Sequence, residues 1–224
     1  MKAFFADELP KLIMFDLDGT LVDSVPDLSS AVQKMLAAMG LPLSNEDQVR
    51  VWVGNGAHQL VKRALVFAAP ERAETLFDEA FGLFMAFYAQ GVAVDSCLYP
   101  SVKETLSDLH QQGVTLAVVT NKPDCCTYPL LKYLGIEEYF AYVLGGDSLA
   151  EKKPHPLPLQ HLFEKMGISP NQALMVGDSV NDVQAARAAG CPVVAVPYGY
   201  NHGEPIESAN PDKVIPSLSH LLCS

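Results

Sequence analysis

The chain has 224 residues, of which 49% are hydrophobic and 18% are charged, and its 15 Lys and Arg against 26 Asp and Glu give a net charge of −11. This composition excludes a disordered chain, and it argues against a nucleic-acid partner, because neutralising phosphates takes an excess of Lys and Arg. No run of the sequence approaches the roughly 18 apolar residues that a membrane span needs.

The first apolar run, residues 12–15, predicts a buried strand, and Asp16-Leu17-Asp18-Gly19-Thr20 follows it directly. Because residues i and i+2 of a strand point to the same side, the carboxylates of Asp16 and Asp18 are expected to converge where the strand ends. Ligands of open α/β sheets bind at that edge. Two adjacent carboxylates stay ionised beside a cation, and Mg²⁺ prefers such oxygen ligands. Taken alone, the motif also fits a turn with two solvated acids.

The next segment, from about residue 26 to residue 91, contains no strand-like run. Apolar residues recur there at helical spacing over residues 28–39, 60–67 and 76–87, which predicts an all-helical insertion. We therefore expect a core domain of residues 1–23 and 93–224, and a helical cap domain of residues 24–92 that covers the active end of the sheet.

A helical pattern over residues 102–112 precedes the next apolar run, residues 115–119, which ends in Thr120-Asn121-Lys122. A Thr hydroxyl and free backbone N–H groups at a strand-to-helix turn can hold phosphoryl oxygens. A further helix is predicted over residues 129–134 and a further strand over residues 142–144. Lys152-Lys153-Pro154 then offers a fixed positive charge, or else a solvated loop.

The last part of the chain repeats the pattern of an apolar run followed by acids. A predicted strand over residues 173–176 leads into Gly177-Asp178-Ser179-Val180-Asn181-Asp182, and a last strand is predicted over residues 193–196. Helices are predicted over residues 158–166 and 182–189. Asp178 and Ser179 could simply cap the second of these helices. The two acid clusters, at the ends of two strands, would however together make a metal pocket of three carboxylates.

The alternation of strands and helices predicts an α/β fold with a doubly wound parallel sheet, a Rossmann-type core, carrying the helical insertion. The order of D-x-D-G-T, a strand-end Thr, Lys-Pro and G-D-S-x-N-D resembles the haloacid dehalogenase superfamily of aspartyl-phosphate phosphatases. The helical cap between the first and second motifs resembles the cap of that superfamily. The resemblance extends, across nearly the whole chain, to the phosphoglycolate phosphatases within the superfamily. The additional motifs are Val53-Gly54-Asn55-Gly56-Ala57, Gly145-Gly146-Asp147 and Tyr198-Gly199-Tyr200-Asn201.

The resemblance implies a role for each motif residue in phosphoryl transfer. Asp16 would be the nucleophile and Asp18 the general acid and base. Thr120, Asn121 and Lys153 would bind the phosphoryl group.

The resemblance also implies a Mg²⁺ cofactor. Asp16, the backbone carbonyl of Asp18, and Asp178 would be its ligands. Asp182 would hold these ligands in position without contacting the ion.

The cap is expected to contribute a donor for a second anion of the substrate. Arg63 is the candidate, because a guanidinium can bind a carboxylate in a bidentate manner. Lys62, His58 and the backbone amides of residues 54–56 are the other candidates. Lys62 and Arg63 are equally typical of a solvated helix face.

The function that the resemblance implies is a Mg²⁺-dependent phosphoric monoester hydrolase that acts through an aspartyl-phosphate intermediate. Its expected substrate is 2-phosphoglycolate, converted to glycolate and phosphate, within carbohydrate metabolism. Alternatives are a phosphatase of another small phosphate ester such as a sugar phosphate, a phosphomutase, or a non-catalytic phosphate-binding protein. Thr20 argues against the mutase, because mutases of this group usually carry an aliphatic residue there.

The protein is expected to act on a small-molecule phosphate ester and to have no membrane or nucleic-acid partner. It is expected to be a monomer or a homodimer. Five cysteines, odd in number and without C-x-x-C spacing, indicate reduced thiols and hence a cytoplasmic location.

Overall fold

A six-stranded parallel sheet forms the centre of the computed structural model, which describes residue 5 and residues 8–222. The strands of the chain are β1 (Leu12–Phe15), β2 (Val22–Asp23), β3 (Cys97–Leu98), β4 (Thr115–Val119), β5 (Phe140–Leu144), β6 (Ala173–Gly177), β7 (Val193–Ala195) and β8 (Lys213–Val214). The sheet has the order β5-β4-β1-β6-β7-β8, and each neighbouring pair is parallel.

Strand β1 lies in the middle of this sheet, and all four of its residues are fully buried. Phe15 is paired with Val118 of β4 on one side and with Val176 of β6 on the other. Because the three strands are parallel and in step, the residues that follow β1, β4 and β6 emerge at the same edge of the sheet.

Four helices occupy the segment between β2 and β3 and share an apolar core of their own. They are α1 (Val25–Ala38), α2 (Glu46–Trp52), α3 (Ala57–Ala68) and α4 (Ala73–Gly91). Helix α4 packs along α1 and α3, and its residues Ala80, Phe84 and Tyr88 are buried in that core. This bundle has the helical character predicted for the insertion.

Four more helices cover the two faces of the sheet. They are α5 (Val102–Gln111), α6 (Asp124–Tyr133), α7 (Leu157–Met166) and α8 (Val180–Ala189). One apolar cluster joins α5 and α6 to one face, and a second cluster joins α7 and α8 to the other. Layers on both faces explain why the central strands read as continuous apolar runs.

The two connections between the sheet and the helical bundle lie side by side, because β2 pairs antiparallel with β3. Asp27 of α1 fixes the second connection. Its carboxylate accepts from the backbone N–H groups of Val94, Asp95 and Ser96 at 3.0, 2.9 and 2.9 Å, and from the Ser96 hydroxyl at 2.5 Å.

The predicted α/β class and its doubly wound parallel sheet are confirmed, and the individual elements differ in places. Helix α6 begins at Asp124 rather than at residue 129, so Pro129 lies inside it. Helix α2 and strands β2, β3 and β8 were not predicted, and α8 begins at Val180 instead of Asp182. The division into domains at residues 23/24 and 92/93 stays a prediction.

Two predictions made from composition can be compared with the described residues. The four described cysteines are free thiols, and Cys223 lies outside the described residues. None of the described helices combines the length and the apolar character that crossing a membrane requires.

Candidate active site

The predicted core residues meet at the edge of the sheet where β1, β4 and β6 end. Asp16 follows β1, Thr120 follows β4, and Asp178 follows β6. Lys153 reaches them from the loop between β5 and α7. These four residues come from four separate stretches of the chain, and the in-step register of the strands places them together.

Lys153 holds two carboxylates of this group. Its buried ammonium lies 2.9 Å from Asp16 Oδ1 and 2.6 Å from Asp182 Oδ1. Asp182 Oδ2 accepts from the Asp178 amide, the Ser179 amide and the Ser179 hydroxyl at 3.2, 3.0 and 2.7 Å. Both oxygens of Asp182 therefore have partners, which suits a residue that positions its neighbours.

Asp178 is oriented by two short hydrogen bonds from distant parts of the chain. The Thr20 hydroxyl donates to Oδ1, and the Tyr200 backbone N–H donates to Oδ2, each at 2.6 Å. Gly19, at φ +91°, passes so close that a Cβ there would lie 2.3 Å from Asp178 Oδ2. Only glycine adopts this backbone conformation readily and also leaves room for the Asp178 carboxylate.

The charges at this edge suit a bound cation. Burial raises the pKa of Asp16 to about 6, although Lys153 acts in the opposite direction. Burial, followed by the charges of Asp16 and Asp182, raises the pKa of Asp178 well above its usual value. One oxygen from each of Asp16, Asp178 and Asp182 lies within 4.8 Å of the other two. Three buried carboxylates with one lysine fit a hard divalent cation with oxygen ligands such as Mg²⁺.

Asp18 belongs to a different ion pair. Its Oδ1 and Oδ2 accept from the ammonium of Lys122 at 3.0 and 3.1 Å. Burial acts to lower the pKa of Lys122, but Asp18 and Tyr88 together more than offset this effect and raise the pKa above its usual value. Tyr88, from helix α4, covers the pair with its ring centroid 4.8 Å from Lys122 Nζ.

A cavity of about 40 Å³ lies between this edge of the sheet and the helical bundle. Its polar lining comes mainly from the sheet edge: Asp16, Asp18, Thr120, Asn121 and Lys122. Its apolar lining comes mainly from the bundle: Leu28, Val53, Ala57, Leu60 and Phe84. The cavity thus offers a charged floor and an apolar roof to a small ligand.

The two predicted phosphate-binding residues after β4 line this cavity in different ways. The Thr120 hydroxyl oxygen accepts from the Lys122 amide at 3.2 Å. The Asn121 amide donates to the carbonyls of Gly54 and Lys153 at 3.1 and 2.9 Å. Asn121 therefore connects the bundle to the loop that carries Lys153, and its buried Oδ1 has no partner among the described residues.

Arg63 does not lie among the residues that line the cavity. Its guanidinium donates to the Trp52 carbonyl and, at 2.7 Å, to Asn55 Oδ1. The other two side-chain candidates also have partners, because Lys62 pairs with Glu74 at 2.7 Å and His58 packs on Phe77. Of the candidates named for the cap, only the segment 54–56 reaches the cavity, through its two glycines.

Sequence reasoning gave no role to Lys122 or Tyr88. Lys122 directly follows Thr120 and Asn121, so its neighbours in the sequence could have drawn attention to it. Tyr88 directly follows the aromatic stripe of residues 76–87, which reads as ordinary packing. Nothing in the local sequence shows that its ring contacts a lysine at residue 122.

Known proteins resemble this chain over most of its length. Residues 13–196 match the family of haloacid dehalogenase-like hydrolases. The chain is 51% identical over 213 residues to the phosphoglycolate phosphatase of Nitrosococcus oceani, covering 95% of both chains. It is 52% identical over 215 residues to the phosphoglycolate phosphatase of Vibrio parahaemolyticus, covering 95% of this chain and 94% of the relative.

A solved structure agrees with the fold. The crystal structure of a protein from Haemophilus somnus, described as a predicted phosphoglycolate phosphatase, superposes with a TM-score of 0.91 and shares 45% sequence identity. The match covers 95% of this chain and 96% of the other.

Proposed function

The chain belongs to the family of haloacid dehalogenase-like hydrolases, and from this premise we propose that it hydrolyses 2-phosphoglycolate to glycolate and phosphate. That the chain is a phosphatase follows from relatives about half identical to it over 95% of its length. The observation that carries the proposal is the meeting of Asp16, Lys153 and Thr120 beside a small cavity.

A Mg²⁺ ion is part of the proposal, because the donor set fits it. Asp16, Asp178 and the backbone carbonyl of Asp18 would hold the ion, and Asp182 would orient Asp178 and Lys153 from behind. When bound, the ion supplies positive charge for the phosphoryl oxygens and relieves the repulsion between the buried carboxylates.

In the first step, Asp16 attacks phosphorus in line and forms an aspartyl phosphate. The Leu17 amide and the Lys153 ammonium fix its carboxylate, through Oδ1, at 2.7 and 2.9 Å. Lys153 and the Thr120 hydroxyl stabilise charge on the transferring oxygens. Asp18 protonates the oxygen of the leaving glycolate.

In the second step, Asp18 takes a proton from the water that cleaves the acyl phosphate. Lys122 keeps the Asp18 carboxylate in place through contacts to both of its oxygens. The apolar roof of the cavity, which includes Leu28 and Phe84, keeps other water away from the intermediate.

The size of the cavity favours a small leaving group over a sugar. The cavity measures about 40 Å³ and lies under an apolar roof. Other small phosphate esters are the alternative substrates.

A screen of small phosphate monoesters tests the proposal. Phosphate release is measured with Mg²⁺ and with EDTA, and the substrates are ranked by kcat/KM. We expect 2-phosphoglycolate to rank first and EDTA to stop the reaction. A higher kcat/KM for a sugar phosphate would contradict the proposed substrate. A phosphoryl group returned to another hydroxyl would indicate a phosphomutase instead of a phosphatase.

The remaining expectations from composition stay proposals. They are a cytoplasmic location, the absence of a nucleic-acid partner, and a monomeric or homodimeric state. The cap as a separate domain of residues 24–92, and Arg63 as a substrate ligand, also stay predictions.

A further inference from the structure

Lys122 is a buried cation whose ammonium lies at the cavity that would receive the substrate. Its side chain is 2% exposed, and it lines the cavity together with Asp16 and Asp18. An ammonium has three N–H groups, and the two oxygens of Asp18 account for two of them. The third N–H is left on the side of the Tyr88 hydroxyl, which also interacts with Lys122, and an acceptor that binds there does not displace Asp18.

Tyr88 adds a second donor at the same place. Its hydroxyl is buried in the cavity lining beside Lys122, and it has no hydrogen-bond acceptor among the described residues. A lysine ammonium cannot accept a proton, so the hydroxyl proton of Tyr88 remains to be donated. Burial raises the pKa of Tyr88 above its usual value, which keeps this proton in place at neutral pH.

We propose that Lys122 and Tyr88 form the subsite that binds the carboxylate of the substrate. This inference rests on the proposed function, because it requires a substrate with a carboxylate beside its phosphate. In 2-phosphoglycolate only three covalent bonds separate phosphorus from the carboxylate carbon. A phosphoryl group held by Asp16, Thr120 and Lys153 therefore leaves the carboxylate within this one small cavity, where Lys122 supplies the positive charge.

The other basic side chains near the cavity are less suited to this role. Arg63, Lys62 and His58 contact other groups and do not line the cavity. Of the remaining lysines, Lys152 comes near the cavity. Its ammonium lies 3.1 Å from the position that a Cβ on the lining residue Gly56 would occupy. It lines a separate, open depression next to His155 instead.

The subsite also gives the helical bundle a role in selecting the substrate. Lys122 comes from the sheet edge, whereas Tyr88 comes from helix α4 of the bundle. A carboxylate between them would contact both parts of the chain. A neutral group there would lack the negative charge that complements the ammonium and the hydroxyl, so its binding would be weaker.

The test compares 2-phosphoglycolate with 2-hydroxyethyl phosphate, which has the same length and a neutral terminal group. The measured quantity is the ratio of the two kcat/KM values for the wild type, Tyr88→Phe, Lys122→Met and Lys152→Met. Tyr88→Phe removes a single oxygen and leaves the Lys122–Asp18 pair intact. We expect the ratio to fall about tenfold in Tyr88→Phe, mainly through KM for phosphoglycolate, and further in Lys122→Met.

Binding provides a second readout that does not depend on turnover. Dissociation constants of both esters are measured by calorimetry in the Asp16→Asn background, with and without Tyr88→Phe. We expect the added substitution to weaken phosphoglycolate about tenfold more than 2-hydroxyethyl phosphate.

The outcomes separate the inference from the function on which it rests. If the wild type prefers phosphoglycolate and both Tyr88→Phe and Lys122→Met keep the wild-type ratio, the subsite is wrong while the proposed function stands. The subsite is also overturned if Lys152→Met, rather than Lys122→Met, lowers the ratio. If the wild type releases no phosphate from phosphoglycolate, the proposed function itself fails, and the subsite fails with it.

Discussion

Asp16 is the residue whose chemistry is most directly open to substitution. Asp16→Asn keeps the size of the side chain but removes the nucleophilic charge, so we expect kcat to fall at least about a thousandfold. The fold should persist, because Lys153 keeps Asp182 as its partner at 2.6 Å. Phosphate release and circular dichroism on the same sample measure both effects. Substantial residual turnover would remove Asp16 from its role.

Thr20 offers a test of the proposed metal site that leaves every ligand in place. Thr20→Val conserves shape but removes the donor to Asp178 Oδ1. Since such supporting bonds typically contribute about ten- to a hundredfold in metal affinity, we expect the Mg²⁺ concentration for half-maximal activity to rise at least about tenfold. A Mg²⁺ titration of activity measures this.

Thr105→Val is the matched control for that titration. The Thr105 hydroxyl is fully buried on α5 and has no hydrogen-bond partner among the described residues. Its removal should leave the Mg²⁺ requirement unchanged. An equal requirement in wild type and Thr20→Val would show that Thr20 does not support the metal site.

At the scale of elements, helix α1 is fixed to the second connection by Asp27, which accepts four hydrogen bonds at once. Asp27→Asn removes the charge and turns one acceptor into a donor that faces N–H groups. We expect the free energy of unfolding to fall by about 2 kcal/mol. Urea denaturation measures the change, and Asp95→Asn, at an exposed residue of the same connection, is the control. Equal stabilities of the two variants would contradict the proposed anchoring.

The elements themselves show what the sequence can reveal. The central strands were predictable because parallel strands buried on both faces are continuous apolar runs, as at residues 12–15 and 115–119. Helix α2 was missed because only Val49 of its residues is buried, so it has no apolar stripe. Its capping box, Asn45 with Gln48, was a readable signal. Helix α6 extends through Pro129, which sequence reasoning took as its start.

At the scale of the whole molecule, the fit between the bundle and the sheet edge depends on Gly56. Its φ is +85°, and a Cβ there would lie 2.8 Å from the Asn121 carbonyl oxygen. Gly56→Ala should therefore displace the bundle from the site while each part keeps its own core. We expect kcat/KM to fall by up to about a hundredfold, because displacements of about 1 Å can have this effect.

Gly82→Ala controls for the loss of a glycine in the bundle. Gly82 lies inside α4, and a Cβ there would meet nothing within 4 Å. We expect unchanged activity and a gain of roughly 0.5–1 kcal/mol in stability. Wild-type kinetics in Gly56→Ala would mean that the seating of the bundle does not matter for turnover.

The residues of the site at the sheet edge were predictable from the sequence, whereas those from the helical bundle were not. Asp16, Asp178 and Thr120 each follow a recognisable strand, so topology alone places them at one edge. Contacts across the two parts of the chain, such as Tyr88 with Lys122, depend on how the bundle packs on the sheet. No local pattern encodes that packing, which is also why Arg63 was chosen for the cap although it lies outside the cavity lining.

The central claim is that Asp16 and Asp178 share one divalent cation at the end of the sheet. A crystal grown with Mn²⁺ in place of Mg²⁺ tests it through the anomalous difference map. We expect one strong peak within ligand distance of a carboxylate oxygen of each residue and of the Asp18 backbone carbonyl. A peak bound elsewhere, or none between Asp16 and Asp178, would contradict the claim.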